Sequence, residues 1–232
     1  MRILVIIPTY NERENIAAII PAVLACGREV EILVVDDNSP DGTASVVIEQ
    51  MRKDKRIHLL SRPGKEGLGR AYLAGFEWGL KNGFEALIEM DADFSHRPQD
   101  LPPLIDALRE ADFAVGSRYV RGGGTVNWGF LRKLISRGGG LYSRLILGYP
   151  LKDWTGGFNA WKASTLRKIG LESVRSEGYS FQIELKYRAS RLGLHGTEIP
   201  IVFEDRRYGQ SKMSSRIVLE ALHHVWGMRH LD

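Results

Sequence analysis

Residues 86–96 read Ala86-Leu87-Ile88-Glu89-Met90-Asp91-Ala92-Asp93-Phe94-Ser95-His96. An apolar run ends in two acids spaced two apart. In an extended strand, side chains at i and i+2 share one face. Two carboxylates on one face repel unless a cation lies between them. A hard divalent ion, Mg²⁺ or Mn²⁺, meets that need and keeps positions open for phosphate oxygens. Taken alone, a D-x-D is more often a solvated acidic turn, because so short a motif recurs by chance.

The flanking sequence supplies the context. Ile3–Ile7 and Val30–Val35 are continuous β-branched runs, as strands buried on both faces should be. Ile57–Leu60, Ala86–Met90 and Phe113–Val115 continue the series. Helical patterns at Glu14–Ala25, Thr43–Arg52, Leu68–Lys81 and Pro98–Arg109 alternate with them. Asp41 before Gly42-Thr43, and Ser95 or His96 before Pro98, read as helix starts. The alternation predicts an α/β fold with a mostly parallel, Rossmann-like sheet flanked by helices. Ligands of such sheets bind at the carboxyl ends of the strands. Pro8-Thr9-Tyr10-Asn11-Glu12, Asp36-Asp37-Asn38-Ser39 and Asp91-Ala92-Asp93 would gather along that edge.

After Gly116 the alternation fails. Gly122-Gly123-Gly124 reads as a flexible loop. Residues 130–147 mix Phe130, Leu131, Leu134, Ile135, Leu141, Leu145 and Ile146 with Arg132, Lys133, Arg137 and Arg144. Gly138-Gly139-Gly140 is expected to break this stretch into two short helices. Further helices are expected at Ser164–Ile169, Phe181–Arg191 and Ser215–Met228, and a strand near Thr197–Phe203. The composition shift near 116–124 separates two halves, 1–117 and 118–232, of one expected domain.

Composition narrows the function. With 232 residues, 26% charged and 44% hydrophobic, the chain reads as an ordinary globular protein. The net charge of +4 is spread without a Lys/Arg block, which suits an anionic partner better than nucleic acid. Cys26 is the only cysteine, so no intramolecular disulfide forms and a reducing compartment is expected. The apolar start meets Pro8 too soon for a secretion signal. The longest uncharged run, Asn15 to Gly27, is too short to cross a bilayer, which takes about 20 apolar residues. No G-x-G-x-x-G, P-loop, H-E-x-x-H or G-x-S-x-G pattern occurs, which disfavours nicotinamide, NTPase, zinc and serine-hydrolase chemistry. The five tryptophans read as core or sugar-facing aromatics.

Individual residues carry alternatives. Asp37 suits hydrogen bonds to a base or ribose, whereas Asp36 equally suits a turn or helix cap. In Asp205-Arg206-Arg207-Tyr208-Gly209-Gln210-Ser211-Lys212, Arg206 and Lys212 suit a diphosphate clamp or a solvated basic loop.

In chain order these pieces resemble glycosyltransferase family 2. Val5-Ile6-Ile7-Pro8-Thr9-Tyr10-Asn11-Glu12, Val34-Val35-Asp36-Asp37-Asn38-Ser39-Pro40-Asp41-Gly42-Thr43 and Met90-Asp91-Ala92-Asp93-Phe94-Ser95-His96 look like its nucleotide-sugar site. Gly116-Ser117-Arg118-Tyr119, the 132–138 stretch Arg-Lys-Leu-Ile-Ser-Arg-Gly, Asp153-Trp154-Thr155-Gly156-Gly157-Phe158 and the 206–212 loop narrow the resemblance to polyprenol-phosphate (dolichol-phosphate) mannose synthases. The match runs over essentially the whole chain. It implies a GT-A fold and an inverting, metal-dependent transfer of mannose from GDP-mannose to a polyprenyl phosphate. It implies that Pro8, Tyr10, Glu12, Val35 and Asp37 hold guanosine. Asp91, Ala92 and Asp93 would hold the diphosphate and metal, with Ser95 at a position that joins the metal shell in some members. Arg118, Arg132 and Ser136 would bind the acceptor phosphate, with Asp91, Asp93, Arg118 and Arg132 central to catalysis. Arg206 and Lys212 would close over the donor. The lipid acceptor implies peripheral attachment to the cytoplasmic face of a membrane, through residues 130–147 or, less strongly, Ile217–Leu231, with or without a transmembrane partner subunit. A family 2 enzyme using UDP-glucose or an aminosugar donor, or a non-catalytic nucleotide-sugar binder, stays open.

Overall fold

The β-branched runs near the amino end build the centre of a sheet. In the computed structural model, which describes residues 1–27, 29–176, 178–204 and 225–229, Ile3–Thr9 forms β1 and Val30–Asp36 forms β2. Ile57–Ser61 (β3), Ala86–Glu89 (β4) and Phe113–Ser117 (β5) follow. Helices Arg13–Leu24 (α1), Thr43–Lys53 (α2), Leu68–Lys81 (α3) and Leu101–Ala107 (α4) alternate with them. β1 pairs in parallel with β2 and β4, and β2 with β3. Leu4, Ile6, Leu33 and Val35 enter one core with Ala71 and Phe76 of α3. Val5, Ile7, Ile32 and Val34 enter the other with Ile16 and Ile20 of α1. Burial on both faces is what a helix-covered parallel sheet requires.

The second half adds Gly124–Val126 (β6), Phe130–Leu147 (α5), Asn159–Lys162 (β7), Ala163–Ile169 (α6), Gly178–Arg191 (α7), Gly196–Pro200 (β8) and Val202–Glu204 (β9). The main sheet has seven strands in the order β3-β2-β1-β4-β7-β5-β8. β7 runs antiparallel to both β4 and β5, while β8 rejoins β5 in parallel. β6 and β9 form a separate parallel pair.

Three expectations need correction. Residues 130–147 form one helix, not two. Glycine inside a helix costs only about 1 kcal/mol relative to alanine. Gly140 is moreover required for packing, because a Cβ there would lie 2.9 Å from the Lys152 carbonyl oxygen. The strand expected near 197–203 is divided at Ile201, with β8 in the main sheet and β9 in the small one. Ser95 and His96 do not start the helix before Pro98. Both are buried, and a 3-10 turn at Pro98–Asp100 begins after Arg97. β7 was not anticipated, because four residues between turns carry too little periodicity. The signal at Asp41 does mark a helix start, since its Oδ1 accepts bonds from Thr43 N at 2.9 Å and Thr43 Oγ1 at 2.6 Å. Arg206, Lys212, most of the helix expected at 215–228 and most of the 217–231 membrane candidate lie outside the described residues.

Candidate active site

One edge of the site is formed by the carboxyl ends of β1 and β2. Asp36 is buried and accepts bonds from Thr9 Oγ1 (2.8 Å), Ser39 N (3.0 Å) and Ser39 Oγ (2.6 Å). It is a turn clamp. Asp37 accepts from Arg62 Nη1 at 2.8 Å. Burial pushes its carboxyl above the ordinary range, and Arg62 opposes that rise. Pro8 is half-buried and Tyr10 exposed. Glu12 Oε2 accepts from Asn15 Nδ2 at 2.7 Å. Val35 is fully buried in the core beneath α3, so its side chain supports the edge from below. Two cations that the sequence motifs passed over complete this edge. Lys65 Nζ lies 4.2 Å from the centroid of the Tyr10 ring, and Arg62 pairs with Asp37. Their position directly after β3, which ends at the same edge, was the available signal. Side by side, Asp37 and Arg62 offer an acceptor and a donor to a base.

The D-x-D turn follows β4. Phe94 has φ 61°, a left-handed conformation uncommon outside glycine. Three bonds secure the turn. Ser95 N donates to Asp93 Oδ1 (3.0 Å), Asp91 N to His96 Nδ1 (3.1 Å) and Tyr72 OH to Asp91 Oδ1 (3.4 Å). An accepting Nδ1 puts the proton of a neutral His96 on Nε2. Burial pushes this imidazole down to about 4, while the charge of Asp93 pulls the other way. His96 stacks on Phe158, with ring centroids 4.9 Å apart. The charges of Arg118 and Asp153 also bear on its ring, so His96 lies between the turn and the Arg118–Asp153 pair. Asp93 and Ala92 are buried, and Asp91 is half-buried.

The donor set fits a hard divalent cation. Asp91 and Asp93 supply carboxylate oxygens. Among the described residues the buried Ser95 Oγ has no hydrogen-bond partner, so a further oxygen is available beside them. Among the described residues no group of three His, Cys, Asp or Glu is arranged to hold a metal. The remaining coordination positions would therefore fall to ligand oxygens and water.

A second cluster begins where β5 ends. Arg118 is buried and forks onto Asp153, with Nε to Oδ2 at 2.7 Å and Nη2 to Oδ1 at 2.6 Å. Its backbone N–H reaches the same carboxylate at 3.0 Å, and Nη2 also reaches Thr155 Oγ1 at 2.9 Å. Three aromatic rings, from Tyr119, Trp128 and Phe203, surround the guanidinium at 5.3–5.6 Å. Arg132 lies 4.1 Å over the Trp128 ring, and Tyr119 OH donates to Ser136 Oγ at 2.6 Å. The structure thus gathers Arg118, Arg132 and Ser136 around Tyr119 and Trp128.

Behind the site is a buried polar layer that the sequence did not announce. Glu89 accepts from Trp161 Nε1 at 2.7 Å and from Gln182 Nε2. Burial pushes Glu89 up to about 7, opposed by those bonds and by Lys186. Lys186 Nζ donates to the carbonyls of Asp153 (3.3 Å), Trp154 (3.0 Å) and Gly156 (2.8 Å). Burial pushes it down to about 8, against the pull of Asp153 and Glu89. Residues 153–156, which fix Arg118, are themselves held from below.

Comparison with known proteins locates this architecture. The Glycosyl transferase family 2 profile matches residues 4–170. The "Undecaprenyl-phosphate mannosyltransferase" of Micrococcus luteus is 48% identical over 230 residues, covering 98% of this chain and 95% of that protein. The "Polyprenol monophosphomannose synthase" of Mycolicibacterium smegmatis is 49% identical over 232 residues, covering 98% and 88%. Among solved structures, glucosyl-3-phosphoglycerate synthase from Mycobacterium tuberculosis, in complex with Mn²⁺, UDP and phosphoglyceric acid, superposes with a TM-score of 0.75. It shares 18% identity, and the match covers 99% of this chain and 79% of that one. That likeness establishes a GT-A-like fold.

Proposed function

The chain belongs to glycosyl transferase family 2, and from that premise we propose that it transfers mannose from GDP-mannose to a polyprenyl phosphate with inversion at the anomeric carbon. The observation that carries this reading is the secured D-x-D turn, with a base-binding edge on one side and the Arg118 cluster on the other. Asp37, with Arg62, holds the base. Pro8, Tyr10 and Glu12 line the nucleoside. Asp91 and Asp93, with Ser95 beside them, would hold a divalent cation, and that ion would supply charge neutralisation for the departing GDP. Arg118, Arg132 and Ser136 position the acceptor phosphate, which is already an anion at neutral pH. A strong general base is therefore unnecessary, and orientation for in-line attack is the main task of these residues. Arg206 and Lys212, outside the described residues, are assigned to the donor by the resemblance alone. Glu204, the last described residue before them, donates its N–H to the Ser95 carbonyl at 3.3 Å.

Attachment to a membrane follows from the acceptor. Among the described residues no helix is long and apolar enough to cross a bilayer. On α5, Phe130, Leu131, Leu134, Leu141 and Leu145 are 57–82% exposed. Exposed apolar residues beside Arg132, Lys133, Arg137 and Arg144 fit a helix lying in the interface of an anionic membrane. We place the enzyme on the cytoplasmic face, a reading that requires no transmembrane partner subunit.

A donor screen tests the reading. The full chain is incubated with polyprenyl phosphate, Mg²⁺ or Mn²⁺, and radiolabelled GDP-mannose, UDP-glucose or UDP-N-acetylglucosamine. Label should enter lipid from GDP-mannose and stop on chelation. Preferred transfer from a UDP-sugar, or donor binding without transfer, would overturn it.

A further inference from the structure

The backbone ladder between β4 and β7 stops short of the site. Its last pair is Ile88 with Ala160, and Glu89 and Asn159 stand one step beyond it. Past that step side chains continue the join, and Gln182 of α7 is placed between them. Its Nε2 donates to Glu89 Oε2, and its Oε1 accepts from Asn159 Nδ2 at 2.8 Å. Asn159 Nδ2 also donates to the Gly156 carbonyl at 3.1 Å. The far end fixes the direction of this chain. A carboxylate only accepts, so Gln182 turns its amide nitrogen to Glu89 and its oxygen to Asn159. A Cβ on Gly157 would sit 3.9 Å from Gln182 Nε2 and 3.9 Å from His96 Cε1, so the amide and the imidazole flank one glycine. His96 Nδ1 in turn accepts the Asp91 N–H. One side chain thus bridges the strand that leads to the D-x-D turn and the 153–156 turn that clamps Arg118.

Neighbouring residues of α7 reach the same two turns. The Phe181 ring stacks on Tyr72, with centroids 6.2 Å apart, and Tyr72 OH donates to Asp91 Oδ1. One helical turn after Gln182, Lys186 donates to the carbonyls of Asp153, Trp154 and Gly156. Glu89, Asn159, Gln182 and Lys186 are all buried. Taking such groups out of water is unfavourable, and a layer that only filled space would be more stable if apolar. A buried hydrogen-bond network instead fixes one arrangement of the groups it joins.

We infer that Gln182 is a positioning residue: through Glu89 and Asn159 it holds the D-x-D turn and the Arg118–Asp153 pair at one separation. That this separation governs transfer rests on the function proposed above. Two variants of the full chain test it. Gln182→Met keeps the length of the side chain and removes both of its hydrogen bonds. The exchange variant, Glu89→Gln with Gln182→Glu, keeps both bonds with the carboxylate and amide ends traded, and Trp161 and Asn159 still donate to oxygens. With both substrates saturating, Gln182→Met should lower kcat about 100-fold, the scale of a misplacement near 1 Å. Its affinities for GDP-mannose alone and for polyprenyl phosphate alone should not change, because each turn stays intact. The exchange variant should recover most of the lost kcat. A kcat that Gln182→Met leaves unaltered overturns the inference. So does a loss shared with either affinity, or an exchange variant as slow as Gln182→Met. Where Gln182→Met does not fold, the exchange variant decides alone, since a folded but slow exchange protein refutes the brace. If the unaltered chain makes no product from GDP-mannose, the transfer reading fails instead, and crystal structures then decide the brace. The spacing from Asp91 to Arg118 should differ in Gln182→Met and match the unaltered chain in the exchange variant, and an unchanged spacing in Gln182→Met overturns it.

Discussion

Replacing Asp153 by Asn removes the charge that neutralises Arg118 while keeping the side chain's shape. Asp153 is fully buried, and Arg118 is 7% exposed. The carboxylate accepts two guanidinium bonds and the Arg118 and Gly156 backbone N–H groups, all at 2.6–3.0 Å. Breaking one side of such a buried pair costs about 3–5 kcal/mol, because the other charge stays buried without its partner. That is a large part of the roughly 5–15 kcal/mol that holds a domain together. For a chain of this size each kcal/mol shifts Tm by about 2–4 °C, so the expected fall is roughly 6–20 °C. Thermal and urea unfolding of D153N measure it. The double variant Arg118→Met with Asp153→Leu should recover most of that loss, because no buried cation is stranded at 118, yet should still fail to use the acceptor. A fall below about 2 °C for D153N, or a double variant less stable than D153N, would refute the reasoning.

The same pair gives a pH dependence. Burial alone would raise Asp153, but the Arg118 guanidinium outweighs it and holds the carboxyl below its ordinary value. Its stabilising contribution is thus complete above the unfolded value of about 3.9 and is lost as pH falls through the depressed folded value. Acid unfolding curves of the unaltered chain and D153N should converge below that range. Asp93→Asn should abolish metal-dependent transfer with little change in Tm, and normal transfer rates would defeat the metal assignment. Arg132→Ala should raise the acceptor KM more than the GDP-mannose Kd, and the opposite ordering would reject that division of roles. Arg62→Ala should weaken donor binding by about tenfold through loss of a charged bond at the base edge, with acceptor KM unchanged. Leu134→Asp with Leu145→Asp should reduce co-sedimentation with anionic vesicles without altering Tm, and unchanged co-sedimentation would remove α5 from the membrane surface.

The first half was legible because its signals are local. Runs such as Ile3–Ile7 and Val30–Val35 show burial directly, and acids or turn residues directly after them mark the ligand edge. The second half depends on long-range pairing. Nothing near Asn159 says that it must fit between β4 and β5, and nothing near Lys186 says that it will meet three carbonyls of residues 153–156. Asp153 looks like one acid of a conspicuous motif, yet its work is to hold Arg118, 35 positions earlier. The glycine triplet misled for a related reason. Its cost as a helix breaker is local, while the close approach that retains Gly140 involves Lys152.

The reversed strand β7 has a geometric consequence. It lies between β4, which leads to the D-x-D turn, and β5, which leads to Arg118. Strands in a sheet are about 4.8 Å apart, so these two chain ends are set roughly 10 Å from each other by backbone hydrogen bonding alone. Because β7 runs the other way, its starting end reaches the same rim, and the 153–158 segment fills the gap. β7 therefore acts as a built-in ruler between the D-x-D turn and Arg118. Loops on either side can vary without changing that span.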